Sequence, residues 1–351
     1  MKIGLLGLPG SGKSTCFRAA TGKAQQAGMG DDIAVVQVPD PRLQTVADTY
    51  ESRTATPAEL TFVDLTALHK GEDITGRQSR LAAVAGDADA FALVIQAFGS
   101  MDYSGGPLDP QGDLDTLLLE LCLTDLDVLS GRVERINSGA IAKRDRSQYE
   151  LNLLQKCVEH LEQGGLMLEL ELEVEAEKLL RGFGLLTARP MLVVFNVGED
   201  DLSGAAIQSA IAYADGRGLP YLLFCAELEE EIAQLPPDEQ EEFLLDFGLE
   251  QSARDRLLRA AYETLDVITF FTAADKEARA WTVRSGTNAQ QAAARIHTDM
   301  GDNFVRAEVI SFADLQKHGS VAECRKHGAW ALQGADYPVQ DGDILLIRFT
   351  H

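Results

Sequence analysis

Nine residues near the start of the chain, Gly7-Leu8-Pro9-Gly10-Ser11-Gly12-Lys13-Ser14-Thr15, carry the spacing G-x-x-x-x-G-K-S. That spacing suits a phosphate-binding loop. Glycines let backbone N–H groups turn inward around phosphate oxygens, and a helix starting at Lys13 adds partial positive charge there. Gly7, Pro9, Gly10, Ser11, Gly12 and Thr15 would line the loop. Lys13 would reach the β- and γ-phosphates of a nucleotide and is the candidate catalytic residue, and the Ser14 hydroxyl would ligate Mg²⁺. The flanks supply the context: an apolar run over residues 1–6 reads as a buried strand, and residues 15–20 continue as a helix.

Two more stretches fit the same chemistry. Residues 58–64, Ala-Glu-Leu-Thr-Phe-Val-Asp, read as a strand ending in a carboxylate. A strand end at the sheet's carboxyl edge is where a metal-holding Asp64 belongs, directly or through water. Asn196-Val197-Gly198-Glu199 follows another apolar strand, in the place of the N-K-x-D guanine reader of GTPases. Here the carboxylate is Glu199, one methylene longer, and Val197 stands where a stacking lysine would be. Those changes weaken a guanine clamp and leave the base open between adenine and guanine. Ala226, closing the strand read over 221–226, completes the candidate nucleotide-binding set.

The elements that must position these residues alternate as strand and helix. Strands are expected at 33–38, 58–64, 91–98, 190–196 and 221–226, with helices after 41 and across 205–216. Leu118, Cys122, Leu126, Leu129, Val133 and Ile136 recur at spacings of three and four, as do Leu151, Leu154, Val158 and Leu161. Two such helices joined by a polar link predict an antiparallel hairpin inserted into the α/β pattern. The acidic tract 227–246 reads as a solvated helical face with no chemistry assigned. From 267 on, short strands (268–272, 279–283, 304–310, 343–349) with a helix over 287–300 predict a compact, mainly β domain.

Composition bounds the function classes. The 351 residues carry a net charge of −24, which argues against a broad nucleic-acid-binding surface, so no DNA partner is expected. The charge is uneven: residues 266–351 hold 11 Asp and Glu against 9 Lys and Arg, so nearly all the excess lies upstream. If RNA is met anywhere, this end meets it, with Arg325, Lys326 and His327 near Trp330 as a small basic cluster. No stretch is long and apolar enough for a membrane span, no signal peptide is expected, and no membrane partner follows. Five scattered cysteines (16, 122, 157, 225, 324) form no C-x-x-C and suit a reducing cytoplasm. Cys16 beside the loop reads as a small core residue, or as a thiol activated by the helix N-terminus.

The chain resembles the YchF/Obg-like ATPase family along nearly its whole length. The stretches that carry the likeness are Val38-Pro39-Asp40-Pro41-Arg42-Leu43, Phe62-Val63-Asp64, Leu185-Leu186-Thr187-Ala188-Arg189-Pro190 and the N-x-x-E at Asn196. In the C-terminal part they are 271–282, Ile296-His297-Thr298-Asp299, Arg306-Ala307-Glu308-Val309-Ile310 and Gln340-Asp341-Gly342-Asp343. The resemblance implies a mostly parallel, three-layer P-loop G domain (residues 1–111 and 184–265), an inserted coiled-coil hairpin (112–183) and a C-terminal β-grasp TGS domain (266–351). It further implies Mg²⁺-dependent hydrolysis of ATP in preference to GTP, and cytoplasmic association with ribosomes or RNA through the TGS domain and hairpin. Departures bear on turnover. Ala67 replaces a glycine, residues 22–32 hold no threonine for a switch ligand, and the family's histidine after the fourth strand is replaced near Tyr103, with His69 a conceivable substitute. Four readings follow: a slow ATPase switch, a GTPase of the same build, a nucleotide-binding scaffold with little turnover, and a small-molecule kinase.

Overall fold

The computed structural model describes residues 1–22, 32–65, 85–138, 148–246 and 251–350. Ala67, His69 and most of the 22–32 loop therefore lie outside the described residues.

The strands are β1 (Lys2–Gly7), β2 (Asp32–Val38), β3 (Thr54–Thr56), β4 (Ala58–Asp64), β5 (Ala90–Ala97), β6 (Met191–Val197) and β7 (Tyr221–Phe224). Helices α1 (Lys13–Thr21), α2 (Pro41–Thr49), α3 (Pro110–Asn137), α4 (Gln148–Glu162), α5 (Val174–Arg181), α6 (Gln208–Gly216), α7 (Ala226–Ile232), α8 (Pro237–Asp246) and α9 (Ala253–Thr264) intervene or follow. Then come β8 (Val267–Ala273), β9 (Glu277–Arg284), α10 (Ala289–Ile296), α11 (Thr298–Asp302), β10 (Phe304–Ser311), α12 (Phe312–His318), α13 (Val321–Lys326), β11 (Ala331–Gln333) and β12 (Asp343–Phe349). Among the described residues these strands form two six-stranded sheets, ordered β2-β4-β1-β5-β6-β7 and β11-β10-β12-β8-β9-β3.

By its contacts the chain divides into two compact units: Lys2–Ala34 with Phe62–Ala261, and Val35–Thr61 with Tyr262–His351 and Met1. In the first, β1, β5, β6 and β7 pair in parallel, and β5 and β6 are buried along their whole length. Continuous apolar runs of this kind need helices on both faces. Helix α3 starts at Asp109, whose carboxylate caps the Gly112 amide at 3.0 Å, with Pro110 in the first turn. The expected stripes of α3 and α4 are buried: Leu118, Cys122, Leu129 and Ile136 share a core with Leu154 and Leu161. A buried carboxylate, Asp125, ties α3 to the strand entry of β6. It accepts from the Leu186 amide (2.8 Å), the Thr187 amide (2.7 Å) and the Thr187 hydroxyl (2.6 Å). Arg189 completes that corner by donating to the carbonyls of Ala85, Ala88, Gly86 and Gly184.

In the second unit, the segment 35–61 joins the C-terminal sheet. Strand β3 runs parallel to β9, and Leu43, Val46 and Ala47 of α2 pack against Phe271, Ile310 and Ile344. On the other side, Ala289 and Ala292 of α10 meet Phe270, Val309 and Leu345. Arg42 clamps the unit. Its guanidinium donates to both oxygens of Asp40 and to Asp341 (2.6 Å), and lies 5.5 Å from the Phe271 ring centre.

Several expectations shift. The strand read to 226 ends at Phe224, because Cys225 turns the chain into α7. The helix read over 287–300 breaks at His297, which is extended and whose ring accepts the Asp299 amide at 3.2 Å to start α11. Strands β3 and β11 and helices α12 and α13 were not expected.

Asp125→Ala strands three buried donors and is expected to lower unfolding stability by about 3 kcal/mol. Chemical denaturation measures it, and a loss under 1 kcal/mol would contradict the buried network. Burial pushes the Asp341 carboxyl up, but the Arg42 and Thr269 hydrogen bonds outweigh it and hold the group below the usual range. A depressed carboxylate contributes stability that is fully present above about pH 4 and is lost as pH falls through the lower folded value. Asp341→Asn is therefore expected to destabilise the protein at pH 7 and to flatten its acid-side loss, read by unfolding titrations from pH 7 to pH 2.

Candidate functional site

Strand β1 stops at Gly7 and α1 starts at Lys13, so residues 8–12 form the loop between them. Gly10 and Gly12 have φ of 83° and 77°, a region side chains rarely adopt. Space demands glycine as well: a β-carbon on Gly12 would strike the Asn196 amide nitrogen, and one on Gly10 would sit 2.6 Å from Tyr103 Cβ. The Ser11 amide donates to the Leu8 carbonyl at 3.1 Å, while the Ser11 hydroxyl is buried with no hydrogen-bond partner among the described residues.

Lys13 and Asp64, 51 positions apart, meet beside this loop. The Lys13 ammonium pairs with the Asp64 carboxylate and donates to the Leu65 carbonyl at 2.6 Å. Both side chains are over nine-tenths buried. Two opposite charges withdrawn from water must be paired, and here they are. Ser14 follows in the first turn of α1, half-buried. The Thr15 hydroxyl accepts from Arg18 at 3.2 Å, and Arg18 in turn pairs with Glu230 on α7 at 2.6 Å. Cys16 is core: burial pushes its thiol well above the ordinary range, which excludes the activated-thiol reading.

The N-x-x-E stretch supports the phosphate loop itself. Asn196 is 4 % exposed. Its Nδ2 donates to the Ser11 carbonyl at 3.0 Å, and its Oδ1 accepts the Ala226 amide at 3.1 Å. Both ends of the side chain are thus engaged in holding the phosphate loop to the start of α7. Val197, in the place of a stacking lysine, is the last residue of β6, and its side chain is buried in the sheet core. Ala226 is the first residue of α7 rather than a strand end, and is itself buried. Glu199 lies exposed on the turn after β6, beside the equally exposed Asp200.

Two neighbours of the loop stand out: Phe98, which sequence reasoning did not single out, and Tyr103, which it named only as the place of the family's missing histidine. Phe98, just past β5, places a ring carbon 3.5 Å from a β-carbon built on Gly12, and its Cβ lies 3.8 Å from one built on Gly198. It therefore sits between the phosphate loop and the Glu199 turn. Tyr103 lies against Gly10 on a loop that Asp102 pins through the Ser104 and Gly106 amides (2.9 and 2.7 Å). Gln96 holds the same loop by donating to the Phe98 and Met101 carbonyls. The approaches of Phe98 to Gly12 and of Tyr103 to Gly10 join residues far apart in sequence, and no spacing announces them.

The residues present fit a nucleotide phosphate with Mg²⁺. Two left-handed glycines shape the cradle, an orphaned buried hydroxyl (Ser11) lies in it, and an ammonium and a carboxylate flank it. Comparison with known proteins bears on what kind of site this is. The family model YchF-GTPase_C, described as a protein of unknown function (DUF933), matches residues 267–350. A protein of Pasteurella multocida, "Ribosome-binding ATPase YchF", is 35% identical over 362 residues, covering 99% of each chain. The chain belongs to the YchF family. A Bacillus subtilis protein of the same name is 33% identical over 363 residues, covering 100% of this chain and 99% of that one. The solved structure of the Schizosaccharomyces pombe YchF GTPase superposes with a TM-score of 0.86 at 26% identity, covering 99% of this chain and 97% of that chain. The likeness extends over the full YchF length, so the inserted helices and the C-terminal sheet belong to the shared architecture.

Asn196→Ala removes both ends of the bridge and leaves the Ser11 carbonyl and Ala226 amide buried without partners. It is expected to cost about 2–4 kcal/mol of stability and to weaken nucleotide binding at least tenfold, measured by denaturation and by titration with a fluorescent nucleotide. Wild-type affinity in this variant would refute the bridge's role.

Proposed function

We propose that this chain is a Mg²⁺-dependent P-loop protein that binds ATP, hydrolyses it slowly and acts as a conformational switch on the ribosome. The observation that carries the reading is the convergence of Lys13 and Asp64 on a glycine loop that Asn196 holds in place. Relatives named as ribosome-binding ATPases support the partner and the reaction. In this reading Gly7 to Thr15 wrap the phosphates, and Lys13 leaves Asp64 for the phosphate oxygens. Ser14 and Asp64 hold Mg²⁺. When bound, Mg²⁺ supplies positive charge that offsets the phosphate oxygens. Lys13 and the loop amides supply the rest of the electrostatic stabilisation.

The base preference follows from what surrounds the other end. Asn196 holds the loop, and Val197, buried in the core, stands where a guanine reader carries its stacking lysine. Phe98 offers an apolar face suited to a purine, and Glu199 accepts from an exocyclic amine, which adenine also has. The G domain is assigned to 1–111 and 184–265, the hairpin to 112–183 and the TGS domain to 266–351, with the ribosome or RNA met through the last two. Among the described residues no helix is long and apolar enough to cross a membrane, and the cytoplasm is the proposed location.

Titration with ATP and GTP in Mg²⁺ is expected to give tighter ATP binding, with a single-turnover hydrolysis rate at least tenfold above Lys13→Ala. Equal or tighter GTP binding would replace the adenine reading with a GTPase, and hydrolysis no faster than the variant would leave a nucleotide-binding scaffold.

A further inference from the structure

The second unit's sheet has one face that is only partly covered. Ile310 and Ile344, opposite each other on β10 and β12, lie under α2 and α12. Two residues further along each strand, on the same face by the period of two, stand Glu308 opposite Leu346, and then Arg306 opposite Arg348. Leu346 is 43 % exposed, and both arginines are exposed.

Two features set this stripe apart from an ordinary solvated face. Like charges directly opposite each other across a strand pair are destabilising. Arg348 is compensated by Glu308 (2.8 Å), but Arg306 makes no ion pair among the described residues. Glu308 also holds a second guanidinium: its carboxylate accepts from Arg325 (3.0 Å) and from the Trp330 indole (3.1 Å), and Arg325 lies 5.2 Å over the Trp330 ring. Two guanidiniums are thereby fixed while half their surface stays in water, and a third stands free beside them. Two of the three guanidiniums share one carboxylate, in a chain whose net charge is −24.

We propose that this stripe docks on the phosphate backbone of ribosomal RNA, with Arg306, Arg348 and Arg325 as the phosphate contacts. The assignment rests on the ribosome reading above. Charge complementarity chooses the occupant. The molecule as a whole repels polyanions, so one can be met only where the local field is reversed. Guanidinium forks fit phosphate oxygens with two parallel bonds, and prior fixation by Glu308 and Trp330 lowers the ordering cost of forming them. The Trp330 ring is already covered by Arg325, so the surface offers backbone contacts rather than a base-stacking platform. A phosphate placed between Arg306 and Arg348 also relieves their mutual repulsion.

The test measures binding of the full-length protein to purified ribosomes and to deproteinised ribosomal RNA across a salt series. Arg306→Gln and the double variant Arg306→Gln/Arg348→Gln are compared with wild type. Each arginine removed is expected to lower the slope of log affinity against log salt by about 1, which is about fivefold in affinity at 0.15 M salt. Arg306→Gln is expected to leave the unfolding midpoint unchanged or raised, since it removes repulsion, and nucleotide affinity unaltered. Variants that bind both targets as wild type does would overturn the assignment while leaving ribosome association intact. Loss on ribosomes with RNA binding unchanged would overturn it in favour of a ribosomal protein partner. Wild type that binds neither target would sink the ribosome reading itself, and the assignment with it.

Discussion

The bridge made by Asn196 is the constraint on which the nucleotide site depends. One buried amide group satisfies the Ser11 carbonyl through its nitrogen and the Ala226 amide through its oxygen. It thereby fixes the phosphate loop against the ends of β6 and α7. The bridge also explains Gly12, since any β-carbon there would occupy the space of the Asn196 amide. Arg18 and Glu230 repeat the link from α1 to α7 at the surface. A loop of glycines has little order of its own, and its shape comes from these long-range contacts.

Around that anchor the charges are arranged by burial. Lys13 and Asp64 neutralise each other in a site from which water is largely withdrawn. The pairing makes each side chain available to a ligand of opposite sign: the ammonium to phosphate, the carboxylate to a divalent cation. The second unit relies on a similar device at a different position. Arg42 joins Asp40 to Asp341 over the Phe271 ring and binds the segment 35–61 into the C-terminal sheet. The chain between β2 and β4, which leads to Asp64, is in this way built into the same unit as β8–β12.

Much of this was legible in the sequence where the signal was local. The glycine loop, the strand-end Asp64 and the leucine stripes of α3 and α4 announce themselves within short windows. Asn196 was found by its spacing as a base reader, and the fold adds a role the spacing did not show: its buried amide bridges the phosphate loop to α7. β6 runs one residue further than the apolar run suggested, keeping the Val197 side chain in the core. Phe98 and Tyr103 carry no spacing signal, since they reach the loop only through folding. The stretches around Arg42 and Asp341 carried family likeness without showing that they meet, 299 positions apart. The stretch around Thr187 and Arg189 carried the same likeness without showing that it forms the corner that seats β6.

In the proposed function, Gly7 to Thr15, Asp64 and Glu199 form one nucleotide site. A crystal structure with Mg²⁺ and a non-hydrolysable ATP analogue tests it most directly. The triphosphate is expected within the loop with Lys13 moved from Asp64 onto its oxygens, Mg²⁺ held by Ser14 and Asp64, and adenine between Phe98 and Glu199. A nucleotide bound elsewhere, or Lys13 still paired with Asp64 beside a loop without phosphate, would contradict it.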